Sequence, residues 1–284
     1  MKRVAIVGLG WIGMPLGISL IAAGWRVSGS KTTQNGVDAV RMYGIDGYCL
    51  QLKPILSCKE RNLPALFSVD AMVIILPVTR MLLSSTRKDK DYLLSIQNLV
   101  KSARDFGVSH IVFTSSISVY GTRSEIVNEN TGLSPKSVAG NILREVENWL
   151  CQTTGIVVDI LRLSGLVGPN RHPGYFLAGK KELENGSHGV NLVHRDDVIA
   201  AIILLLKDGI GGRIYNLSAS KHPARNEFYP YASMQLGLKP PTFTTPSRGR
   251  HGKIIDGSKI CRELGLVYLY SDPVCMLRSS SYII

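Results

Sequence analysis

The sequence predicts an α/β protein built on a doubly wound parallel sheet, with a smaller C-terminal lobe facing a substrate. Three observations carry this. Short apolar strand-like runs alternate with longer helical stretches, the mark of a parallel sheet covered on both faces. The first run, Val4-Ala5-Ile6-Val7, empties directly into Gly8-Leu9-Gly10-Trp11-Ile12-Gly13. After Gly165 the alternation gives way to Gly- and Pro-containing loops around 168–190 and 240–252. The expected organisation is therefore 1–166 as the sheet domain and 167–284 mainly as the lobe, with some segments returning to the core.

Taken in order, the expected strands are 3–7, 25–30, about 47–52, 71–76, 110–115 and 156–163. The first helix is expected to begin near Gly10 and run through Ala22. Further helices are expected over 34–43, 91–106 and 139–153, the last carrying Ile142, Val146, Trp149 and Leu150 at helical spacing.

The Gly-x-Gly-x-x-Gly loop has a physical reading. Gly8 lets the chain turn tightly out of the strand, Gly10 lets backbone approach a pyrophosphate, and Gly13 lets the helix lie close to the sheet. The helix N-terminus then faces the phosphates, which makes this a Rossmann-type dinucleotide site with Trp11 and Ile12 inside its loop. NAD-selecting sites place an Asp or Glu about 20 residues after the glycines. Here that segment reads Ser30-Lys31-Thr32 and holds no carboxylate. An ammonium and two hydroxyls suit a 2′-phosphate, so NADP is favoured over NAD; a solvated Lys31 is the plainer alternative. Leu76 and Pro77, at the end of the fourth strand, and Thr114 and Ser115, in the fifth, are also assigned to the cofactor.

Composition bounds the rest. With 284 residues and 45% hydrophobic content, the chain has enough material for a full core. No stretch reads as a membrane span or a cleavable signal, so a soluble cytoplasmic protein is expected. Cys49, Cys58, Cys151, Cys261 and Cys275 are scattered, without a C-x-x-C pair, and indicate neither a disulfide framework nor a metal site. The net charge of +12 raises nucleic-acid binding. The basic residues are spread out, however, and no nucleic-acid motif is present, so no nucleic-acid partner is expected. The densest group, Arg248, Arg250, His251 and Lys253, reads as a solvated surface or an anion contact for a small-molecule substrate.

Several segments carry a resemblance. Ile111-Val112-Phe113-Thr114-Ser115-Ser116-Ile117-Ser118-Val119-Tyr120-Gly121 resembles the fifth-strand motif of extended short-chain dehydrogenase/reductases (SDRs). Leu161 to Pro169 resembles the sixth-strand segment, Leu192 to Val198 the substrate-lobe motif, and Ile255 to Lys259 with Glu263-Leu264-Gly265 the C-terminal signature. Within that superfamily the chain is similar to the YeeZ-like atypical group of epimerase/dehydratase-like proteins. The resemblance implies the fold and a cofactor; function does not follow from fold. Extended relatives often dimerise through helices corresponding to 91–106 and 139–153, so a homodimer is one expectation.

Departures from the family pattern limit the chemistry. The resemblance implies a Tyr-x-x-x-Lys pair on the helix after the fifth strand. Alignment on Gly140 and Glu147 puts Ala139 and Leu143 at those places, so proton carrier and activator are both missing. Ser116 matches the family hydroxyl that hydrogen-bonds the reacting oxygen, although a strand-end cap would use the same group. The next two positions carry Asp and Glu in sugar-nucleotide dehydratases and are Ile117 and Ser118 here, which argues against water elimination. A replacement proton donor would come from Tyr120, Tyr175, His172 or His194. Arg171 and Arg225 are candidates to clamp an anionic substrate, because guanidinium forks match phosphate oxygens.

Three readings result. The first is an NADP-dependent oxidoreductase or epimerase-like enzyme acting on a carbonyl or sugar-nucleotide-like substrate, with Ser116 polarising the oxygen. The second is a catalytically silent NADP-binding sensor or interaction protein. The third is a β-hydroxyacid dehydrogenase, since the start through Thr32 also resembles that family; it requires a C-terminal half rich in helix.

Overall fold

β1 (Arg3–Val7) buries every residue from Val4 to Val7 completely and leaves only Arg3 exposed. A strand apolar on both faces belongs inside a sheet with layers on each side. In the computed structural model, which describes residues 2–52, 56–57, 62–78, 88–244 and 252–279, β1 lies third from one edge of a seven-stranded sheet. The other strands are β2 (Arg26–Lys31), β3 (Asp46–Cys49), β4 (Ala71–Ile74), β5 (His110–Ser116), β6 (Val157–Leu163) and β7 (Ile214–Leu217). Their order is β7-β6-β5-β4-β1-β2-β3, and β3, β2, β1, β4 and β5 pair in parallel. The backbone bonds Ile160 N–H to Arg213 O and Ser164 N–H to Leu217 O advance together along β6 and β7, as parallel strands require.

The helices between these strands include α1 (Gly13–Ala22), α2 (Gln34–Arg41), α3 (Asn62–Phe67), α4 (Lys88–Asp105), α5 (Val138–Gln152) and α6 (Arg195–Asp208), and α7 (Arg225–Met234) follows β7. α1 buries Gly13, Leu16, Gly17 and Leu20, a stripe at helical spacing. α2 and α5 are capped by the hydroxyls of Thr33 and Ser137, which accept the N–H groups of Gly36 and Gly140.

Several expected boundaries are corrected. The first helix starts at Gly13 instead of near Gly10, because the Gly10 N–H turns back onto the Gly8 carbonyl at 2.7 Å. The third strand ends at Cys49, and Gln51–Leu52 pairs antiparallel with Leu56–Ser57. The fourth ends at Ile74: the Ile75 N–H still reaches Val7 O, and the chain then leaves the sheet through Pro77, which has no N–H to give. β7 is a seventh strand where six were expected; four residues after Gly211-Gly212 are too short to show a period. Cys58, Arg248, Arg250 and His251 lie outside the described residues.

The chain divides into two compact units, and the division runs through β6 and β7. Unit 1 comprises Met1–Val119, Pro135–Leu161 and Ile202–Ile214; unit 2 comprises Tyr120–Ser134, Arg162–Ala201 and Tyr215–Ile284. In unit 1 the core is the middle of the sheet, with Val4–Val7, Met72–Ile74 and Ile111–Phe113 fully buried. Asp159, also fully buried, is held by His110 Nε2 at 2.9 Å and the Arg213 N–H at 3.0 Å. Unit 2 mixes short strands with helices over its own core of Val167, Val190, Leu192, Ala219, Phe228, Ala232, Met276 and Leu277. No helix among the described residues is long and apolar enough to cross a membrane.

Within unit 2, Asp197 at the start of α6 accepts the backbone N–H groups of Leu269 at 2.7 Å and Tyr270 at 3.2 Å. Burial pushes its carboxyl up to about 6, against the pull of those two donors, and neighbouring Asp196 adds to the rise. The folded chain therefore keeps a proton between about pH 4 and 6 that the unfolded chain gives up, so this group's contribution to stability falls as pH rises through that window. Denaturant unfolding at pH 4 and 7 is expected to show Asp197→Asn losing less stability across the interval than the parent, by up to about 3 kcal/mol.

Candidate functional site

In an open parallel sheet, ligands bind beyond the carboxyl ends of the strands where the strand order reverses. Here that point lies between β1 and β4 in unit 1, where the Gly8–Gly13 loop and Ile75–Pro77 leave the sheet. The three glycines do different work. Gly8 has φ +109°, and a Cβ there would run into the Ile75 carbonyl. A Cβ on Gly13 would run into the Gly8 carbonyl, with Ile6 Cγ2 at 3.2 Å. Among the described residues, a Cβ on Gly10 would meet no atom within 4 Å. Two glycines are thus fixed by the protein's own packing, and the third faces open space. The N-terminus of α1 has Ile12 at its cap position, no capping side chain and no acid in its first turn. This is the geometry a dinucleotide pyrophosphate fits: an open backbone concavity beside a positive helix end.

At the end of β2, Ser30 is buried while Lys31 is half-buried and Thr32 exposed. The Leu9 N–H reaches Ser30 O at 3.4 Å, tying the glycine loop to this strand. Beyond β4, the buried Tyr92 hydroxyl donates to the Leu76 carbonyl at 2.9 Å and pins the segment carrying Leu76 and Pro77.

Three adjacent hydroxyls close β5, and the fold uses two of them. Thr114 donates to Ile74 O at 3.1 Å, and Ser115 donates to Glu147 Oε1 at 2.5 Å. Ser116 Oγ accepts the Ser118 N–H at 3.1 Å, and among the described residues its own proton meets no protein acceptor. On α5, Ala139 is partly exposed, whereas Leu143 is 5% exposed and packs in the core. Tyr92 and Glu147 were not foreseen as supports of this site. Tyr92 lies in an ordinary helical pattern, and Glu147 served only to align the helix.

In unit 2, Tyr120 is fully buried; its hydroxyl donates to Asn216 Oδ1 at 2.8 Å and accepts from Arg162 Nη1 at 2.7 Å. Burial raises this phenol, and the adjacent guanidinium works against the rise. Its proton is held inside a polar knot. His172 is 2% exposed, its Nδ1 accepts the Gly174 N–H at 3.0 Å, and burial pushes the ring below its ordinary pKa. The His172 and Tyr175 rings stand edge to face at 6.4 Å, with Tyr175 itself 66% exposed. His194 is fully buried, and its ring lies 3.8 Å from that of Tyr270. Arg171 is exposed on the same loop as His172. Arg225 lines a separate pocket of unit 2, and Arg171 does not line it.

Comparison with known proteins agrees with this geometry. Residues 8–218 match the NAD dependent epimerase/dehydratase family. Protein YeeZ of Escherichia coli strain K12 is 54% identical over 276 residues, spanning 97% of this chain and 99% of that protein. In fold, the chain resembles the UDP-Glc/GlcNAc 4-epimerase of Campylobacter jejuni, with TM-score 0.78, 16% identity and coverage of 99% and 98%. It also resembles MoeE5 in complex with UDP-glucose and NAD, with TM-score 0.76, 19% identity and coverage of 98% and 97%. The family match and the mixed unit 2 overturn the β-hydroxyacid dehydrogenase reading, which needed a helical C-terminal half. The chain belongs to the NAD-dependent epimerase/dehydratase family, within the short-chain dehydrogenase/reductase fold.

Proposed function

We propose that this protein binds NADP(H) in the unit 1 cradle and acts as an epimerase-like oxidoreductase on a carbonyl or sugar-nucleotide-like substrate, without a Tyr–Lys pair. The observation that carries the cofactor reading is Gly10, whose missing side chain no described residue requires and which suits the approach of a pyrophosphate. Lys31, with Ser30 and Thr32, supports a 2′-phosphate over a bare ribose, since no carboxylate stands there to accept a 2′-hydroxyl. Leu76 and Pro77, with the backbone of Thr114 and Ser115, would border the nicotinamide end. When bound, the cofactor supplies hydride exchange. Ser116 would hold the substrate oxygen, because its proton is the one at the end of β5 not spent on the fold.

A second reading, a catalytically silent NADP-binding protein, is favoured by Ala139 and Leu143. Neither side chain can hold or tune a proton.

Titration by tryptophan fluorescence tests the cofactor, since Trp11 sits in the loop. NADPH is expected to bind at least about tenfold more tightly than NADH, and Lys31→Asp to abolish the difference, the size of one charged contact. Equal affinities in the parent would sink the NADP assignment. Gly10→Ala is expected to weaken binding at least about tenfold with melting unchanged. Gly8→Ala should instead lose about 1–3 kcal/mol of stability, through its positive φ and the Ile75 carbonyl. A panel of aldehydes, ketones and UDP-sugars then separates the readings. The enzyme reading expects turnover that falls about 100-fold in Ser116→Ala with NADPH affinity intact. Binding without turnover across the panel favours the silent protein.

A further inference from the structure

Unit 1 carries a second concavity at the amino ends of β1, β2 and β3, the end of the sheet away from the glycine loop. In the parallel register Arg3 lies beside Arg26, Ser28 beside Asp46 and Ser30 beside Tyr48. Side chains two residues apart on a strand share a face. Arg26, Ser28, Asp46 and Tyr48 therefore stand on one side of the sheet, where the end of α3 and the residues after it add Ala65 and Val69. Arg3 also lines the resulting cavity, whose volume is about 230 Å³.

The fold uses some of these polar groups and leaves three. Ser28 Oγ donates to the Leu66 carbonyl at 2.9 Å. Arg3 is locked to Asp70 through Nη2 at 2.8 Å and its backbone N–H at 2.9 Å, and these bonds hold the Asp70 carboxyl below its ordinary pKa. Arg26 and Asp46 are different. Nε stands 3.8 Å from Oδ2, beyond hydrogen-bond length, and among the described residues neither side chain makes another hydrogen bond or ion pair. The Tyr48 hydroxyl likewise meets no hydrogen-bond partner among the described residues. Burial, helped by Asp46, pushes this phenol up against the opposing pull of Arg41 and Arg26, so it stays a neutral donor. What remains after the fold's own pairings is one cation, one anion and one hydroxyl beside an apolar wall.

We propose that this cavity is a binding site for a free α-amino acid with an uncharged side chain. The carboxylate would take the Arg26 guanidinium, whose fork matches two oxygens. The ammonium would take Asp46, and the side chain would lie along Val69, Ala65 and the Tyr48 ring. A simple anion would leave Asp46 opposed to it, and a simple cation would leave Arg26 opposed; a zwitterion satisfies both. An exposed ion pair contributes little to stability, so a ligand parts Arg26 from Asp46 at small cost. The volume lies below the range of about 300–1,000 Å³ usual for drug-sized ligands, which suits an amino acid and not a nucleotide. The inference does not rest on the cofactor reading, whose residues lie at the carboxyl ends of the strands.

The test is calorimetric titration of the full chain with L-leucine, L-valine and L-methionine, beside isocaproate, which lacks the ammonium, and isoamylamine, which lacks the carboxylate. At least one amino acid is expected to bind saturably with Kd below about 10 mM, and at least about tenfold more tightly than either truncated analogue. Arg26→Gln and Asp46→Asn should each weaken that binding at least about tenfold. Both side chains are more than half exposed, at 70% and 52%, so the two variants should melt with the parent. Gly10→Ala should bind the amino acid normally. The proposal is overturned if none of the three binds in that range, if isocaproate or isoamylamine binds as tightly, or if either charge variant binds normally. Loss in Gly10→Ala alone would place the amino acid at the glycine loop and overturn it as well. A parallel NADPH titration keeps the two readings apart: amino-acid binding as expected with no NADPH binding would leave this site standing and remove the cofactor assignment.

Discussion

The contact between the first glycine turn and the strand beside it governs unit 1. Gly8 sits against the Ile75 carbonyl, and Gly13 sits against Gly8. With no side chains between them, β1, α1 and the exit of β4 close to backbone distance. Everything the cradle offers follows from that closeness: the loop stays flat, α1 begins without a capping side chain, and Gly10 is left facing outward. Side-chain volume at either packed glycine would separate these elements; at Gly10 it would meet no described residue.

A second theme is how the fold shares out hydroxyl groups. Thr114 and Ser115 are consumed by a strand carbonyl and by Glu147, and this fixes the backbone from which Ser116 projects. Tyr92 does the same for Leu76 on the neighbouring strand exit. The side chains that build the site and those that could act in it are therefore different residues. Within unit 2, Tyr120 is likewise committed to structure, since Arg162 and Asn216 occupy its oxygen from both sides. Where the resemblance implies a Tyr–Lys pair, α5 carries Ala139 and Leu143.

Legibility in the sequence followed the range of the physics. The glycine loop, the buried strands β1 and β5 and the amphipathic α5 were readable because a local rule governs each: a φ only glycine tolerates, a continuous apolar run, a helical period. β7 escaped because Ile214–Leu217 becomes a strand through its pairing with β6, and nothing in four residues announces that. The supports of the site escaped for the same reason, since Tyr92 to Leu76 and Ser115 to Glu147 are long-range pairings. The unit 2 pocket was the least visible. In the sequence, Arg225 and Lys253 each read as separate candidate anion contacts, and only the fold brings them to one pocket with Arg123 and His188.

Leu143 carries a consequence for any attempt to build a proton relay on α5. Where the resemblance implies a lysine, α5 has a leucine at 5% exposure, one helical turn before the buried Glu147. A lysine placed there would have to desolvate its ammonium beside a carboxylate that Ser115 already engages. A charge at this position therefore competes with the hydrogen bond that fixes the end of β5, so the two features cannot be tuned independently.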